Sequence, residues 1–444
     1  MPVEGFFIYG IQMRKISFYT LGCKLNQAES AIMADQFRAQ GFEIVPFGEQ
    51  ADICVINTCT VTAKTDYRCR QMIRRAKKVA PGAKIAVVGC YAQLHPEAIR
   101  EIDGVDFILG SDRKFDLLPM LDSDEDTSKI VIEKSDNRQF LAPESGFFWN
   151  HTRGFLKIQD GCNNFCSYCA VPLARGRSRS DSLEDILIHA KKLVAAGHRE
   201  IVLTGVHIGM YGKDLQPRVS LLDVLKNLEE INGLVRIRLS SLEPNEISDP
   251  LLEHVASSEK VCKHFHVPLQ SGDNEILKKM RRLYRREEFI DIIGKIKSYL
   301  PHCGLGTDVI VGFPGETEEH FQNTREIIEK LPFTYLHVFS YSIRPGTAAA
   351  KLPDQIDGRV IKARSEILHT IAKEKKRDYY RSFVEKEVRV LWESKTDGEW
   401  MTGLTDEYVR ARAKLNLNLI NRFGSLRVEK AGDGFVSGEI VADD

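Results

Sequence analysis

Three closely spaced cysteines are the residues whose type and spacing most directly suggest chemistry. Cys162, Cys166 and Cys169 follow a predicted strand in the pattern C-x3-C-x2-C. Three thiolates suit an iron–sulfur cluster, because the irons of such clusters prefer soft sulfur ligands. A structural zinc site normally has four protein ligands, and no fourth Cys or His lies nearby in the sequence. The pattern therefore predicts a 4Fe-4S cluster with one iron open to another ligand, with a zinc site or a redox dithiol as the alternatives.

A second set of three cysteines is dispersed along the N-terminal part of the chain. Cys23, Cys59 and Cys90 each lie just past an apolar run that predicts a β-strand. In parallel sheets the carboxyl ends of the strands meet at one edge, where ligands bind. The three thiols can therefore converge on a second cluster with an open iron. The alternative is that they are buried small hydrophobic residues, as cysteine often is.

Residues 13–122 carry the pattern of a parallel sheet covered by helices, because apolar runs alternate there with helical patterns. The predicted strands are Ile16–Thr20, Ile53–Asn57, Ile85–Gly89 and Phe107–Gly110. The predicted helices are Ala28–Gln40, Val61–Val79 and Pro96–Glu101. An acidic stretch then breaks the pattern, and residues 123–150 are predicted to form a linker.

Residues 151–382 repeat a strand followed by a helix six times. The predicted strands are Gly154–Ile158, Glu200–Thr204, Val235–Ser240, Lys263–Val267, Leu305–Val311 and Tyr335–Tyr341. A (β/α)6 repeat predicts a full or partial barrel of the TIM type, with its chemistry at the carboxyl ends of the strands. Residues at these ends are predicted to bind a cofactor, with turn or cap roles as the alternative for each. They are Thr204, Gly205, Ser241, Glu243 and Gln270.

The last segment, residues 383–444, has no helical periodicity. Short apolar runs are separated there by Gly, Asp and Asn, which predicts a small five-stranded all-β barrel, a shape often used for nucleic-acid contact. The predicted strands are Val388–Trp392, Trp400–Gly403, Tyr408–Ala411, Ser425–Val428 and Gly434–Val441. The overall prediction is thus an α/β chain of three domains.

Charge is balanced over the whole chain, with 62 basic and 62 acidic residues, so composition alone does not indicate a nucleic-acid partner. Basic residues are nevertheless concentrated in three runs, 63–84, 359–386 and 410–430. One basic helix face is usually solvated surface. Three basic runs in different parts of the chain nevertheless favour a polyanionic partner, because phosphate contacts supply most non-specific affinity for nucleic acids. The residues predicted to contact RNA are Arg70, Arg74, Arg410, Arg412 and Lys414.

Composition and hydropathy also exclude several classes of protein. No apolar stretch approaches the roughly 18 residues that span a membrane. The N-terminus lacks the basic and apolar regions of a secretion signal, so a cytoplasmic location is expected. Ten cysteines in such a chain are better interpreted as metal ligands and buried residues than as a disulfide framework.

Several motifs resemble the methylthiotransferase family of radical S-adenosylmethionine (SAM) enzymes, and the resemblance covers nearly the whole chain from Met13 onward. The similar segments are LGCKLNQAES at 21–30, NTCT at 57–60, VGCYAQ at 88–93, the cysteine motif at 162–169, ARGRSRS at 174–180, and the C-terminal β domain, which looks like a TRAM module. The resemblance implies that Cys23, Cys59 and Cys90 bind an auxiliary 4Fe-4S cluster and that SAM binds the open iron of the other cluster. Asn26, within the first motif, is predicted to contact a cofactor.

One segment departs from the superfamily pattern. Thr204-Gly-Val206 occupies the position of the usual Gly-Gly-Glu motif but lacks its second Gly and its Glu. Any contact with the SAM amine at this point would therefore come mainly from backbone groups.

The resemblance also implies a reaction, in which a 5′-deoxyadenosyl radical removes hydrogen from C2 of a modified adenine and a methylthio group is delivered there. The segment GCKLNQ at 22–27 is similar to the branch that modifies N6-threonylcarbamoyladenosine (t6A) next to the tRNA anticodon. The implied partners are tRNA and a low-potential electron donor. The alternatives are modification of isopentenyladenosine in tRNA, modification of an aspartate in a ribosomal protein, and a non-catalytic iron–sulfur RNA-binding redox sensor.

Overall fold

The computed structural model describes residues 13–121, 129–133, 140 and 152–443. These residues form two compact units. The first comprises the chain up to residue 60 together with residues 64–133, and the second comprises residues 61–63 and the chain from residue 134 onward. Within the described ranges, no helix combines the length and the apolar composition needed to cross a membrane.

The first unit is a six-stranded, entirely parallel sheet in the order β2-β1-β3-β4-β5-β6. Its strands are β1 (Lys15–Thr20), β2 (Glu43–Val45), β3 (Ile53–Thr58), β4 (Lys84–Gly89), β5 (Phe107–Leu109) and β6 (Lys129–Val131). Its helices are α1 (Lys24–Ala39), α2 (Ala63–Val79), α3 (Cys90–Leu94), α4 (Pro96–Arg100) and α5 (Leu117–Leu121). The central strand β3 is buried at every position, as expected for a sheet covered on both faces. The predicted parallel α/β architecture is confirmed.

Two features of this unit differ from the sequence-based expectation. The short edge strands β2 and β6 have only three residues each, too few for a hydrophobic period to be recognised. Helix α1 begins at Lys24 rather than at Ala28, so that Cys23 occupies its N-cap position. Most of the predicted linker, residues 123–150, lies outside the described residues, and β6 within it pairs with β5 of the first sheet.

The second unit begins with six parallel βα units, whose strand ends match the predicted ones to within one residue. Its first strands are β7 (Gly154–Lys157), β8 (Gln159–Asp160), β9 (Arg179–Ser180), β10 (Glu200–Thr204), β11 (Arg236–Leu239), β12 (His264–His266), β13 (Gly304–Val311) and β14 (Tyr335–Ser340). Its helices are α6 (Val171–Arg175), α7 (Leu183–Ala195), α8 (Leu221–Glu229), α9 (Asp249–Ser257), α10 (Asn274–Lys279), α11 (Arg286–Tyr299), α12 (Glu318–Lys330) and α13 (Gly358–Arg381). The small strands β8 and β9 form a separate antiparallel pair.

The six principal strands form a partial barrel in sequence order. Strands β7, β10 and β11 make one parallel group and β12, β13 and β14 make another. A parallel bridge between Ile237 and Val261 joins the two groups. The helices cover the outer face through apolar stripes, as in α7, where Ile186, Ala190 and Leu193 are buried. The predicted (β/α)6 partial barrel is confirmed, and its carboxyl-terminal rim is the expected position of a site.

A closed five-stranded barrel follows in the order β15-β16-β17-β19-β18, which confirms the predicted all-β domain. Its strands are β15 (Glu387–Asp397), β16 (Trp400–Thr405), β17 (Arg410–Lys414), β18 (Phe423–Ala431) and β19 (Val436–Asp443). The interior is filled by buried side chains that include Trp392, Met401 and Leu426. The third strand begins at Arg410 rather than at the predicted Tyr408, because Tyr408 has a φ of +69°, which is incompatible with an extended strand.

A loop of the β domain packs against the N-terminal ends of the large barrel. Arg236 and Arg238 both donate to the buried carboxylate of Glu200, and Arg238 also donates to the backbone carbonyl of Thr405 at 2.9 Å. Burial alone would raise the pKa of Glu200, but the two guanidinium groups outweigh it and lower this pKa to about 2. Arg236 also pairs with Asp406. The β domain is thus joined to the end of the barrel opposite the carboxyl-terminal rim.

Candidate functional site

The loop after β7 and β8 carries Cys162, Cys166 and Cys169, and one long-range and one local backbone hydrogen bond hold it in place. The Cys162 N–H donates to the carbonyl of Gly176 at 3.1 Å, and the Cys169 N–H donates to that of Cys166 at 3.0 Å. Gly161 has a φ of +72°, and a Cβ there would lie 1.9 Å from the Arg177 carbonyl oxygen, so only glycine fits this turn. The three thiols are partly exposed at the carboxyl end of the first barrel strand.

The thiols of this loop are close enough to influence one another. Burial, and then the negative charges of Cys166 and Cys162, raise the pKa of Cys169 to about 12. Burial also raises the pKa of Cys166. Thiolates placed together in this way are stabilised when a metal centre takes up their charge, since metal binding releases the thiol protons.

A single metal ion does not fit either cysteine triad. A tetrahedral zinc with Zn–S bonds of about 2.3 Å holds its sulfurs about 3.8 Å apart. Within the described parts of the chain, only His266, Asp308 and His337 bring three potential ligand atoms within 4.8 Å of one another, and that group contains no cysteine. A soft set of three sulfurs at wider spacing suits a polynuclear iron–sulfur cluster instead.

Two side chains that sequence patterns did not reveal lie beside these cysteines. Arg282 donates to the Cys166 sulfur at 3.2 Å and forms an ion pair with Glu243. His207 lies 3.6 Å from the Cys162 sulfur, and its Nε2 lies 2.6 Å from a carboxylate oxygen of Glu246. Arg282 and His207 stand in loops far from the cysteine motif in sequence, so no local pattern relates them to it.

The predicted SAM-contact residues occupy the expected rim in different ways. Thr204 is buried, and its carbonyl accepts from the Ile158 N–H at 3.0 Å. Gly205 packs against Gln159, and Ser241 is exposed. The Glu243 side chain is committed to Arg282. The backbone of Gln270 is fixed by bonds to Asp308 and Ile310, with a φ of +63°. The five residues thus stand on the rim where the sequence placed them, and their contact with SAM remains a prediction.

In the first unit, Cys23, Cys59 and Cys90 lie at the carboxyl ends of three adjacent strands. Thr58 and Gly89 are register partners at the ends of β3 and β4, so the next residues, Cys59 and Cys90, leave the sheet side by side. Gly22, beside Cys23, has a φ of +108°, and a Cβ there would lie 2.6 Å from the Cys59 Cβ. The loop carrying Cys23 therefore packs directly on Cys59, and the three thiols share one edge of the sheet.

Asn26 joins two of the loops that carry these cysteines. Its amide nitrogen donates to the Leu21 carbonyl at 2.8 Å and to the Thr58 carbonyl at 3.0 Å, and its oxygen lies 3.7 Å from the Cys23 sulfur. The side chain is 1% exposed. In the structure Asn26 positions the loops of the triad, and its predicted direct contact with a cofactor remains a prediction.

The other four cysteines are buried and belong to the packing of the two units. Cys54 lies in β3, Cys69 lies on α2 with its thiol donating to the Cys59 carbonyl at 3.4 Å, and Cys262 and Cys303 precede barrel strands. Their burial agrees with the sequence-based interpretation of the ten cysteines as metal ligands and buried residues.

The residues predicted to contact RNA are distributed over two surfaces. On α2, Arg74 is exposed, whereas Arg70 is half-buried and donates to the Tyr91 hydroxyl at 2.8 Å. On β17, alternation directs Arg410, Arg412 and Lys414 outward while the intervening alanines are buried. Arg410 pairs with Glu393 and Arg412 pairs with Asp397, and Arg412 also lies over the Trp400 ring at 4.7 Å. Their contact with RNA remains a prediction.

Comparison with known proteins gives two family matches. Residues 15–110 match a family described as "Uncharacterized protein family UPF0004", and residues 156–328 match the radical SAM superfamily. The first range contains Cys23, Cys59 and Cys90, and the second contains Cys162, Cys166 and Cys169.

Full-length relatives extend these matches over the whole chain. The chain is 39% identical over 437 residues, 97% of each chain, to "Threonylcarbamoyladenosine tRNA methylthiotransferase MtaB" of Bacillus subtilis (strain 168). It is 35% identical, over 97% of its own length and 93% of the relative's, to "tRNA-2-methylthio-N(6)-dimethylallyladenosine synthase" of Alkaliphilus oremlandii (strain OhILAs).

A solved structure shares the fold at low sequence identity. The radical S-adenosylmethionine methyltransferase TsrM from Kitasatospora setae matches with a TM-score of 0.54 and 16% identity, covering 76% of this chain and 77% of that one. The geometry of the cysteine loop at the barrel rim agrees with the family match, and the full-length relatives extend that agreement to both units. The chain therefore belongs to the methylthiotransferase family of radical SAM enzymes.

Proposed function

We propose that this enzyme attaches a methylthio group to C2 of t6A next to the anticodon of tRNA, giving 2-methylthio-t6A. The observation that carries this proposal is the pair of cysteine triads, one on a barrel rim and one on a parallel sheet edge, in a chain whose full-length relatives include MtaB enzymes. The chemistry requires a radical generator and a separate sulfur-bearing centre. Two distinct triads of soft ligands meet that requirement.

The residues of the two triads fit two 4Fe-4S clusters. Cys162, Cys166 and Cys169 would hold the cluster that binds SAM, and Cys23, Cys59 and Cys90 would hold the auxiliary one. When bound, the first cluster supplies reductive cleavage of SAM and the second supplies a site for the sulfur to be transferred. Each triad provides three ligands and so leaves one iron of its cluster open.

The protein's own groups would position these centres and control their charge. Arg282 donates to the Cys166 sulfur, and hydrogen bonds to a cluster's sulfur ligands stabilise negative charge on them. Glu243 holds that guanidinium in place from the end of β11. Cys23 lies at the N-terminus of the 16-residue helix α1, whose dipole favours a thiolate.

The t6A substrate is favoured over isopentenyladenosine by two observations. The MtaB relatives are 39%, 40% and 34% identical to this chain, whereas the dimethylallyladenosine synthases that match it are 34–35% identical. The segment GCKLNQ at 22–27 also resembles the t6A branch. Isopentenyladenosine is the second candidate, because those synthases match over almost the same length.

The reaction implies two partners. The tRNA would supply the modified adenosine from a loop whose unpaired bases can be turned outward and bound. A low-potential electron donor would reduce the cluster at Cys162, Cys166 and Cys169 before each SAM cleavage.

Mass spectrometry of nucleosides tests the substrate directly. Anaerobically reconstituted enzyme is incubated with SAM, a sulfur source, dithionite and an equimolar mixture of two tRNAs, one carrying t6A and one carrying isopentenyladenosine. We expect 2-methylthio-t6A as the main new nucleoside. Formation of 2-methylthio-isopentenyladenosine instead would assign the enzyme to the other branch.

A further inference from the structure

We infer that a basic, tyrosine-lined pocket between β14, α13 and the β domain binds a backbone phosphate of the substrate tRNA. The inference rests on the proposed function, because it names where that tRNA is held. The pocket lies within the second unit and has a volume of about 400 Å³. It is separate from the cysteine loop at the barrel rim, which lines no part of it.

The polar groups of the pocket come from four parts of the chain and share one sign of charge. No Asp or Glu is present among its described lining residues. The residues that carry or can carry positive charge are Arg153, His337, His369, Lys373, Lys376 and Arg410. The basic runs at 359–386 and 410–430 are separate in the sequence, and folding brings part of each run to one cavity.

Helix α13 presents one regular face to this pocket. His369, Lys373, Lys376 and Tyr380 follow one another at intervals of four, three and four residues, which places them on one side of a helix. Neither Lys373 nor Lys376 has a carboxylate partner among the described residues, whereas Arg377 on the adjacent face pairs with Asp378. The Lys376 ammonium lies over the Tyr380 ring at 5.3 Å, which leaves its charge unneutralised, so both ammonium groups can bind an external anion.

The remaining cations are only partly neutralised. Arg153 and Arg410 share one carboxylate, that of Glu393, at 3.6 Å and 3.1 Å. A second carboxylate, that of Asp308, lies 3.0 Å from the His337 ring. Four permanent cations, Arg153, Lys373, Lys376 and Arg410, against these two carboxylates leave a surplus of two positive charges. A surplus of this size, held in a cavity, focuses an attractive field on a polyanion.

Aromatic rings distinguish this pocket from a simple phosphate site. Tyr335, Tyr379, Tyr380 and Tyr408 all line it. Tyr408 adopts a φ of +69°, uncommon for an aromatic residue, and its ring stacks on His264 with centroids 4.5 Å apart and packs against Tyr335 at 5.3 Å. Cations that track a backbone beside aromatic faces are the combination that single-stranded nucleic acids require.

The position of the pocket also suits the substrate. His337 lies three residues before Ser340, the last residue of β14, and three strand residues span about 10 Å. The pocket thus extends along β14 from Tyr335, at the N-terminal end of the strand, to His337, about 10 Å short of the carboxyl-terminal rim. An RNA strand whose adenosine reaches the rim could place a nearby phosphate in the pocket.

Removing the two lysines of the pocket, which have no carboxylate partner among the described residues, tests the inference. The double variant Lys373→Gln/Lys376→Gln is compared with wild type by fluorescence anisotropy, using anaerobically reconstituted holoenzyme and a labelled anticodon stem-loop that contains t6A. We expect the Kd to rise about tenfold in low salt. The slope of log K against log salt should become shallower by about 0.7, because one single-strand phosphate contact contributes about that much.

The matched control is Arg377→Gln, which removes one positive charge from the same helix outside the pocket. The control should keep the wild-type Kd, and both variants should release 5′-deoxyadenosine from SAM without RNA at the wild-type rate, which shows that the barrel is intact. Ethylation of single phosphates in the stem-loop should weaken wild-type binding at one or two positions and have no effect there in the double variant.

Two results would overturn the inference. One is an unchanged Kd and salt slope in the double variant. The other is the same set of sensitive phosphates in wild type and double variant. The proposed function fails by a different result, the absence of 2-methylthio-t6A from the wild-type reaction, so the two failures are distinguishable.

Discussion

The two cysteine triads share a local feature, a glycine of positive φ before a cysteine, but their cysteines have very different separations in the sequence. Cys162, Cys166 and Cys169 stand within eight consecutive residues, and a single loop brings them together. Cys23, Cys59 and Cys90 are separated by whole βα units, and they share an edge only because β1, β3 and β4 are adjacent and parallel. In both regions a cysteine follows a glycine with positive φ at the end of a strand.

This difference shows how each site depends on the fold. The local triad can form wherever its loop folds, although Arg282 and His207 must reach it from other loops. The dispersed triad depends on the strand order of the sheet, because any change in that order would separate its thiols. Interactions that hold neighbouring loops together, such as those of Asn26, are therefore more important at the sheet edge.

Removing one ligand from each triad gives the largest expected effect and separates their roles. Cys166→Ala should reduce the release of 5′-deoxyadenosine from SAM to background, because the cluster that binds SAM is lost. Cys59→Ala should leave that release close to wild type and abolish only the methylthio product. Both rates are measured by liquid chromatography after dithionite reduction.

Iron content provides the control for this pair. Wild type should hold about eight irons per chain after anaerobic reconstitution, and each variant about four. Wild-type protein with only about four irons would show that the sheet-edge cysteines bind no cluster, and the comparison between two cluster sites would then fail.

Loss of the long-range ion pair between Arg282 and Glu243 should lower the free energy of unfolding, although the cysteine triad beside it is local in the sequence. The Arg282 side chain is 3% exposed and pairs with Glu243, so Arg282→Met leaves a carboxylate that is only 16% exposed without its partner. Breaking such a pair costs about 3–5 kcal/mol. The free energy of unfolding of the cluster-free protein in urea measures this change.

The exposed neighbour Arg281 provides the matched control, and Arg281→Met should change stability by less than about 0.5 kcal/mol. Adding Glu243→Gln to Arg282→Met should recover part of the loss, because the unpaired charge is then removed. A loss that is the same with and without Glu243→Gln would show that the ion pair is not its cause.

The smallest expected effect concerns the loops of the dispersed triad. Asn26→Ala removes the donor to the part-buried Leu21 carbonyl and to the buried Thr58 carbonyl, which costs about 2 kcal/mol. Iron content should fall from about eight towards about four per chain, while release of 5′-deoxyadenosine remains. The neighbouring Gln27→Ala, half-buried, is the control and should keep both clusters. Full iron content in Asn26→Ala would show that the triad does not need this bridge.

Much of the fold could be predicted because its signals are periodic. The predicted bounds of the six barrel strands agree with the observed ones to within one residue, since alternation of apolar runs and amphipathic helices is a local property. The three-residue strands β2 and β6 were missed because they are too short to show a period. The observed start of β17 differs from the predicted one because Tyr408 has a positive φ, while its ring packs against His264 and Tyr335, and neither feature has a signal in the local sequence.

The sequence by itself determined the ligand types, the spacing of Cys162, Cys166 and Cys169, and the order of the βα units, because these are properties of neighbouring residues. Only the tertiary structure decided which distant groups meet. It placed Arg282 beside Cys166, joined the loops of Cys23 and Cys59 through Asn26, and brought two separate basic runs to one pocket. Such contacts depend on strand order and helix packing, which one-dimensional patterns do not specify.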